Sequence, residues 1–173
     1  MADTLTNWVM LGPGPSMSQA LAGTVRDHPN VCVVGNAFEL APWARVLVAS
    51  DRSWWRRHPK AQQFEGLRYD SQSFQTRHGT GINSGALALY VLASLGAKSV
   101  ELHGFDMHGT HFFGQYTNGC ANTNGVQRQV HLRQFRDFAR DHPEIETINH
   151  TPGSRLDAFQ FAVHALASRG GAQ

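Results

Sequence analysis

The fold is decided by Asn7-Trp-Val-Met-Leu-Gly-Pro-Gly-Pro-Ser-Met17, an apolar run that ends abruptly in a Gly/Pro turn. Residues 8–11 are apolar and β-prone, whereas the glycines and prolines at 12–15 neither continue a strand nor lie inside a helix. Ser16 is a favourable N-cap, so the segment predicts a strand, a tight loop and a helix that begins at Ser16. In such a unit the loop amides and the helix N-terminus suit a phosphate or another anion.

The turn differs from the common phosphate-binding motifs. Gly12 and Gly14 give a G-x-G pattern, but the third glycine of the dinucleotide fingerprint is missing, and no lysine is present for a P-loop. A plain connection between strand and helix is therefore the alternative interpretation. The ligand hypothesis needs support from the rest of the chain.

Length and composition indicate one globular domain. The chain has 173 residues, and we expect residues 1–173 to form a single domain with a frayed tail at 168–173. A net charge of +2 does not indicate a nucleic-acid partner. No apolar segment reaches the ~20 residues of a membrane span, and the first residues show neither a basic region nor a long apolar stretch, so we expect no targeting segment there. Cys32 and Cys120 form no metal motif, so we expect reduced thiols and a cytoplasmic protein.

Strand-like and helix-like segments alternate along the rest of the chain. The predicted strands after the first are 31–34, 45–50, 67–69, 99–103 and 144–148, and the predicted helices are 16–26, 53–58, 86–95, 126–141 and 156–167. Residues 70–81 and 107–125 are polar loops. This order predicts an α/β fold with a single, doubly wound, mostly parallel sheet and helices on both faces, which is a Rossmann-like architecture.

Small polar residues and glycines follow several of these strands. Ligands of open parallel sheets bind outside the carboxyl ends of the strands, so such residues should gather at one edge. Each of them taken singly is equally a turn residue or a helix cap, and Ser84 in particular is either an N-cap or a ligand contact. Together they predict a site for ribose hydroxyls, a base edge and a phosphate held by backbone amides. The candidates are Gly12, Gly14, Pro15, Ser16, Asn36, Asn83, Ser84, Gly85, Gly104 and Asp106.

The histidine-rich segment 103–111 is a second chemical candidate. His108 or His111 could act as a general base beside a bound donor, or both could join Asp106 as metal ligands, although the spacing matches no zinc signature. Histidines on a loop surface are the alternative. On the helix at 126–141, Arg128 or Arg133 could contact a phosphate or an acidic acceptor, and a solvated helix face is the alternative there.

Five segments carry a resemblance to a known family. Gly-Pro-Gly-Pro-Ser (12–16), Gly-Asn (35–36), Asn-Ser-Gly (83–85), Leu-Gly-Ala-Lys-Ser-Val-Glu-Leu (95–102) and Gly-Phe-Asp (104–106) follow, in order, a pattern similar to the bacterial family 42 sialyltransferases. They also resemble the Rossmann-like relatives of the archaeal hydroxymethylpterin diphosphokinase. The resemblance implies that these elements cradle the cytidine monophosphate of a CMP-sugar donor. Pro13 and Asp51 depart from the sialyltransferase pattern, which has asparagine at both places.

Three further segments resemble a group of short phage and prophage proteins. They are Leu-Ala-Pro-Trp-Ala (40–44), Asp-Arg-Ser-Trp-Trp (51–55) and Gly-Phe-Asp-Met (104–107). This resemblance implies a phage- or prophage-encoded protein that works in the host cytoplasm, either as a monomer or as a homo-oligomer.

The leading hypothesis is a nucleotide- or nucleotide-sugar-binding protein, a transferase of the sialyltransferase-like kind, with His108, His111 and Asp51 as catalytic candidates. A CMP-type donor is favoured, and no other cofactor is firmly implied. One alternative is a phage accessory protein that binds a nucleotide or a nucleotide-derived signal without turnover. Another is a Mg²⁺-dependent, diphosphokinase-like enzyme with Asp51 and Asp106 as metal ligands.

Overall fold

Seven parallel strands form one sheet in the computed structural model, which describes residues 6–162. Every pairing between neighbouring strands is parallel. This confirms the predicted α/β, Rossmann-like class. The order across the sheet is β4-β3-β2-β1-β5-β6-β7. The strands are β1 (Asn7–Leu11), β2 (Val31–Val34), β3 (Val46–Val48), β4 (Leu67–Tyr69), β5 (Ser99–His103), β6 (Glu146–Asn149) and β7 (Gln160–Phe161).

Four α-helices and three short 3₁₀ helices connect the strands within residues 6–162. The α-helices are α1 (Gln19–Thr24), α2 (Arg52–Arg57), α3 (Ser84–Ser94) and α4 (Gly125–Asp141), and the 3₁₀ helices span Gly35–Glu39, Pro59–Gln63 and Gly79–Gly81. Across residues 6–162, no helix has both the length and the apolar character that crossing a membrane requires.

The central strands are buried on both faces, because helices cover each side of the sheet. Along β1, Trp8 and Met10 pack into a cluster that includes the apolar residues of α3 and α4. Val9 and Leu11 alternate with them and pack on the opposite face, in a cluster that includes Ala22 of α1 and Trp54 of α2. This alternation explains why the central strands read as continuous apolar runs.

The sheet contains a topological switch point between β1 and β5. From β1 the chain adds β2, β3 and β4 outward in one direction, and it then returns through α3 to place β5 on the other side of β1. The two strands end together, since Leu11 is in register with His103. A crevice therefore opens at their carboxyl ends, which is where ligands of such sheets bind.

Two predicted helix starts are wrong by a residue or two. The N-cap of α1 is Ser18, whose side chain accepts from the Leu21 amide, because Ser16 is held instead by Asp106. The N-cap of α3 is Asn83 rather than Ser84, since the Asn83 side chain accepts from an amide in the first turn of the helix.

The helix predicted at 156–167 is also wrong for residues 156–161, which are not helical. Gln160 and Phe161 form β7, which pairs with Ile148 and Asn149 of β6 at the edge of the sheet. Pairing with an exposed edge strand thus overrides the helical pattern of the segment. Residues 163–167 of that helix and the tail at 168–173 lie outside the described residues.

Candidate functional site

A cleft of about 400 Å³ opens at the carboxyl edge of the sheet, over the switch point. Its lining comes from the ends of β1, β2, β3 and β5, Trp54 of α2, the N-terminal end of α3, the loop at 107–123 and the first three turns of α4. Ten of the residues predicted from the sequence contribute to it: Gly14, Asp51, Asn83, Ser84, Gly85, Gly104, Asp106, His108, His111 and Arg128. Gly12, Pro15, Ser16 and Asn36 are not among the lining residues.

The Gly/Pro loop is bonded to the end of β5 rather than open to a ligand. Pro13 and Pro15 have no N–H group, and the Met17 amide donates to the Gly14 oxygen at 3.0 Å. The remaining amides, those of Gly12, Gly14 and Ser16, donate to the His103 oxygen, the Gly104 oxygen and Asp106 Oδ2 at 2.7, 2.9 and 3.3 Å. Every amide from 12 to 17 therefore has a partner inside the protein. In this conformation the loop does not offer the amide cradle for a phosphate that the sequence suggested.

Asp106 holds the Gly/Pro loop in place through hydrogen bonds from Ser16. The residue is only 3% exposed, and its Oδ2 accepts from the Ser16 hydroxyl at 2.8 Å. A Cβ atom at Gly14 would lie 2.0 Å from the same oxygen and 2.4 Å from the Gly104 carbonyl oxygen. The loop thus needs glycine at position 14 because β5 approaches it so closely. These contacts give Asp106 a structural role, whether or not a ligand also reaches it.

The N-terminal end of α3 is held in place by α4 and β3. Asn83 caps α3 and donates through both its amide and its Nδ2 to Gln134 Oε1, at 2.8 and 2.7 Å. The Ser84 hydroxyl accepts from the Ser50 amide at 2.9 Å. Gly85 permits close packing, since a Cβ there would lie 2.7 Å from the Phe135 ring. The first amides of a helix have no partner within the helix, so this end of α3 presents positive potential to the cleft.

Asn36 lies behind the wall of the cleft, with 6% of its surface exposed. Its Oδ1 accepts from Trp54 Nε1 at 2.8 Å and from the Tyr116 hydroxyl at 2.9 Å. Burial raises the pKa of Tyr116, so this hydroxyl stays protonated and donates. Trp54 also stacks on His58, with ring centroids 4.3 Å apart. Asn36 therefore orients the two aromatic residues, Trp54 and Tyr116, that line the cleft.

The three catalytic candidates line the cleft, but they differ in how they are held. Asp51 caps α2, and its two oxygens accept from the amide and the hydroxyl of Ser53 at 2.7 and 2.6 Å. His111 Nδ1 donates to the Gly114 oxygen at 3.2 Å, and burial lowers the pKa of this imidazole below its ordinary value of 6.5. A neutral His111 carries its lone pair on Nε2, which is the state a general base requires. His108 also lines the cleft, but no hydrogen bond among the described contacts restrains its ring.

The structure does not assemble the metal site considered at 106–111. Within residues 6–162, the group of three metal-ligating side chains whose ligand atoms approach within 4.8 Å is Glu101, His103 and His150, not Asp106, His108 and His111. The Mg²⁺ alternative with Asp51 and Asp106 also meets an obstacle, because oxygens of both carboxylates already accept hydrogen bonds from serines.

Much of the lining was not predicted as a site from the sequence. The loop at 107–123 covers the cleft, and Arg128 ties α4 to it by donating to the Gly109 oxygen at 3.0 Å. Of the two arginines predicted on α4, Arg128 reaches the cleft, together with Gln127 and His131, whereas Arg133 is exposed and is not a lining residue. The aromatic and amide-rich composition of the loop is the signal that marks it. Additional residues from this segment are Gln115, Tyr116, Asn122 and Thr123.

No protein-family model, curated protein or solved structure matches this chain.

Proposed function

We propose that the cleft at the switch point binds a nucleotide or a nucleotide-sugar, with a CMP-type ligand favoured. The observation that carries this proposal is the position of the cleft, at the carboxyl ends of β1 and β5, where the order of a parallel sheet reverses. Its volume of about 400 Å³ also lies in the range of small-ligand sites.

The lining is suited to the parts of a nucleotide. The end of α3, with the hydroxyls of Ser50 and Ser84, favours a phosphate through partial positive charge and hydrogen bonding. This placement differs from the one suggested by the sequence, since the amides of the Gly/Pro loop are already bonded to β5. Trp54 and Tyr116 supply the apolar surface that a base requires.

Binding is tested by thermal shift and calorimetry with CMP, UMP, AMP, GMP and CMP-N-acetylneuraminic acid, each with and without Mg²⁺. A ligand at 100 times its Kd should add about 2.7 kcal/mol to the free energy of unfolding. Ser84→Ala should weaken binding, and Ser94→Ala is the matched control. Ser94 lies at the other end of α3, where its hydroxyl donates to the Val91 oxygen. Equal affinities of both variants and the wild type would remove the end of α3 from the site.

The transferase part of the proposal depends on His111. Its neutral imidazole in the cleft supports a role as the base that accepts the proton of an acceptor hydroxyl. Release of CMP from CMP-N-acetylneuraminic acid, with the sugar passing to water or to the hydroxyl of an added sugar acceptor, should then fall by about 10²–10⁴-fold in His111→Gln, since that is the usual contribution of a general base. Tight binding without CMP release in the wild type would identify a binding protein instead.

A further inference from the structure

A cluster of three metal-ligating side chains lies beside the cleft but outside its lining. Glu101 and His103 are alternate residues of β5, so they lie on the same face of the sheet. Leu102 pairs with Asn149, and the His150 amide donates to the Leu102 oxygen at 2.8 Å, which brings His150 beside His103. The sheet itself therefore positions all three residues.

The three ligand atoms are close to one another. Glu101 Oε2 lies 4.0 Å from His103 Nε2 and 3.8 Å from His150 Nε2, and all three atoms are within 4.8 Å. The two imidazole rings stack with centroids 4.9 Å apart. Glu101 is half-exposed and His150 partly exposed, whereas the side chain of His103 is 13% exposed.

One buried atom of this cluster has no hydrogen-bond partner among the described residues. His103 Nε2 is buried and has no hydrogen bond among the described residues, because the carboxylate of Glu101 is too distant for one. A buried nitrogen of this kind is costly unless something binds it.

We propose that Glu101, His103 and His150 bind a divalent transition-metal ion, for which Zn²⁺ is the appropriate probe. Two imidazole nitrogens and one carboxylate are a preferred donor set for zinc and its neighbours, and a poor one for Mg²⁺. With metal–ligand bonds of about 2.0–2.1 Å, tetrahedral ligands lie roughly 3.3 Å apart. The distances of 4.0 and 3.8 Å from Glu101 Oε2 to the two imidazole nitrogens are slightly longer than this value. Rotation of the partly exposed Glu101 and His150 side chains shortens them to the required length. A fourth position stays open to water.

The test is a titration of the full chain, without a histidine tag, with Zn²⁺ in competition with a chromophoric chelator. The wild type should bind one Zn²⁺ per chain, and His150→Ala and Glu101→Gln should each weaken binding at least tenfold. The matched control is His142→Ala, because His142 faces Glu144 at 3.0 Å in a pair without a third ligand. This control should bind like the wild type. Absence of saturable binding by the wild type, or unchanged affinity in both cluster variants, would overturn the proposal.

A second measurement needs no variant and so does not depend on whether the variants fold. X-ray absorption at the zinc edge of the loaded wild type should show imidazole scattering from two histidines, with first-shell distances of about 2.0–2.1 Å. A spectrum with oxygen ligands alone would contradict the assignment. Because the cluster is outside the nucleotide cleft, this result is independent of nucleotide binding.

Discussion

Gly14→Ala is the substitution that most directly probes the contact between the Gly/Pro loop and β5. The new Cβ would lie 2.0 Å from Asp106 Oδ2 and 2.4 Å from the Gly104 oxygen, and one of these is a backbone atom that cannot rotate away. The loop must therefore lift from β5. This breaks the bond from the Gly14 amide to Gly104 and the bond from the Ser16 hydroxyl to Asp106.

The size of the effect follows from the two bonds. A neutral hydrogen bond contributes about 0.5–1.5 kcal/mol and one to a charged group about 1.5–3 kcal/mol, so Gly14→Ala should cost about 2–4.5 kcal/mol. For a chain of this length, that corresponds to a fall in Tm of about 4–18 °C. Urea denaturation followed by circular dichroism measures the loss, and the slope of the transition should be unchanged.

Gly23→Ala is the matched control for this experiment. Gly23 lies in α1, and a Cβ added there meets no atom within 4 Å. Alanine in a helix is favoured over glycine, so this variant should be more stable than the wild type by up to about 1 kcal/mol. If Gly14→Ala were as stable as Gly23→Ala, the loop would not be packed on Asp106 and the reasoning would be refuted.

Three other outcomes follow from the structure. Asn83→Ala should lower the free energy of unfolding by about 1–2 kcal/mol, because it removes the cap of α3, and equal stability in urea would count against that cap. In native protein, Ellman's reagent should titrate the partly exposed Cys120 but reach Cys32 only after unfolding, since burial raises the pKa of the Cys32 thiol. Burial lowers the folded-state pKa of His103, His111 and His131 below the ordinary value of 6.5. As the pH falls, the unfolded chain therefore binds protons before the folded chain does. The free energy of unfolding should decrease below about pH 6.5, and this decrease should be less steep in His131→Gln.

The strands of the sheet could be predicted because the residues that define each strand are close together in the sequence. The apolar run of β2 is bounded by turn residues, and the segments of β1 and β5 end in glycine, so each strand could be recognised from a few neighbouring residues. The alternation with helices then implied parallel pairing. The cleft at the carboxyl edge of the sheet could be expected from the topology of such a sheet rather than from any single residue.

The details that could not be predicted depend on distant partners. Ser16 and Ser18 are both suitable caps, and the choice between them is made by Asp106, which is 90 residues away from Ser16 in the chain. Likewise Asn83 is the N-cap of α3 and is held by a hydrogen bond from its amide to Gln134 Oε1, whereas the Ser84 hydroxyl accepts from the Ser50 amide. The local pattern also does not show that β5 occupies the amides of the Gly/Pro loop.

Nucleotide binding in the cleft can be located by hydrogen–deuterium exchange of the wild type with and without saturating CMP. We predict slower exchange in peptides that cover 82–86, 104–111 and 115–123, which line the cleft, and little change at 12–17, where the amides are already bonded. Unchanged exchange in all three lining segments, with CMP and with CMP-N-acetylneuraminic acid, UMP, AMP and GMP in turn, would contradict the account.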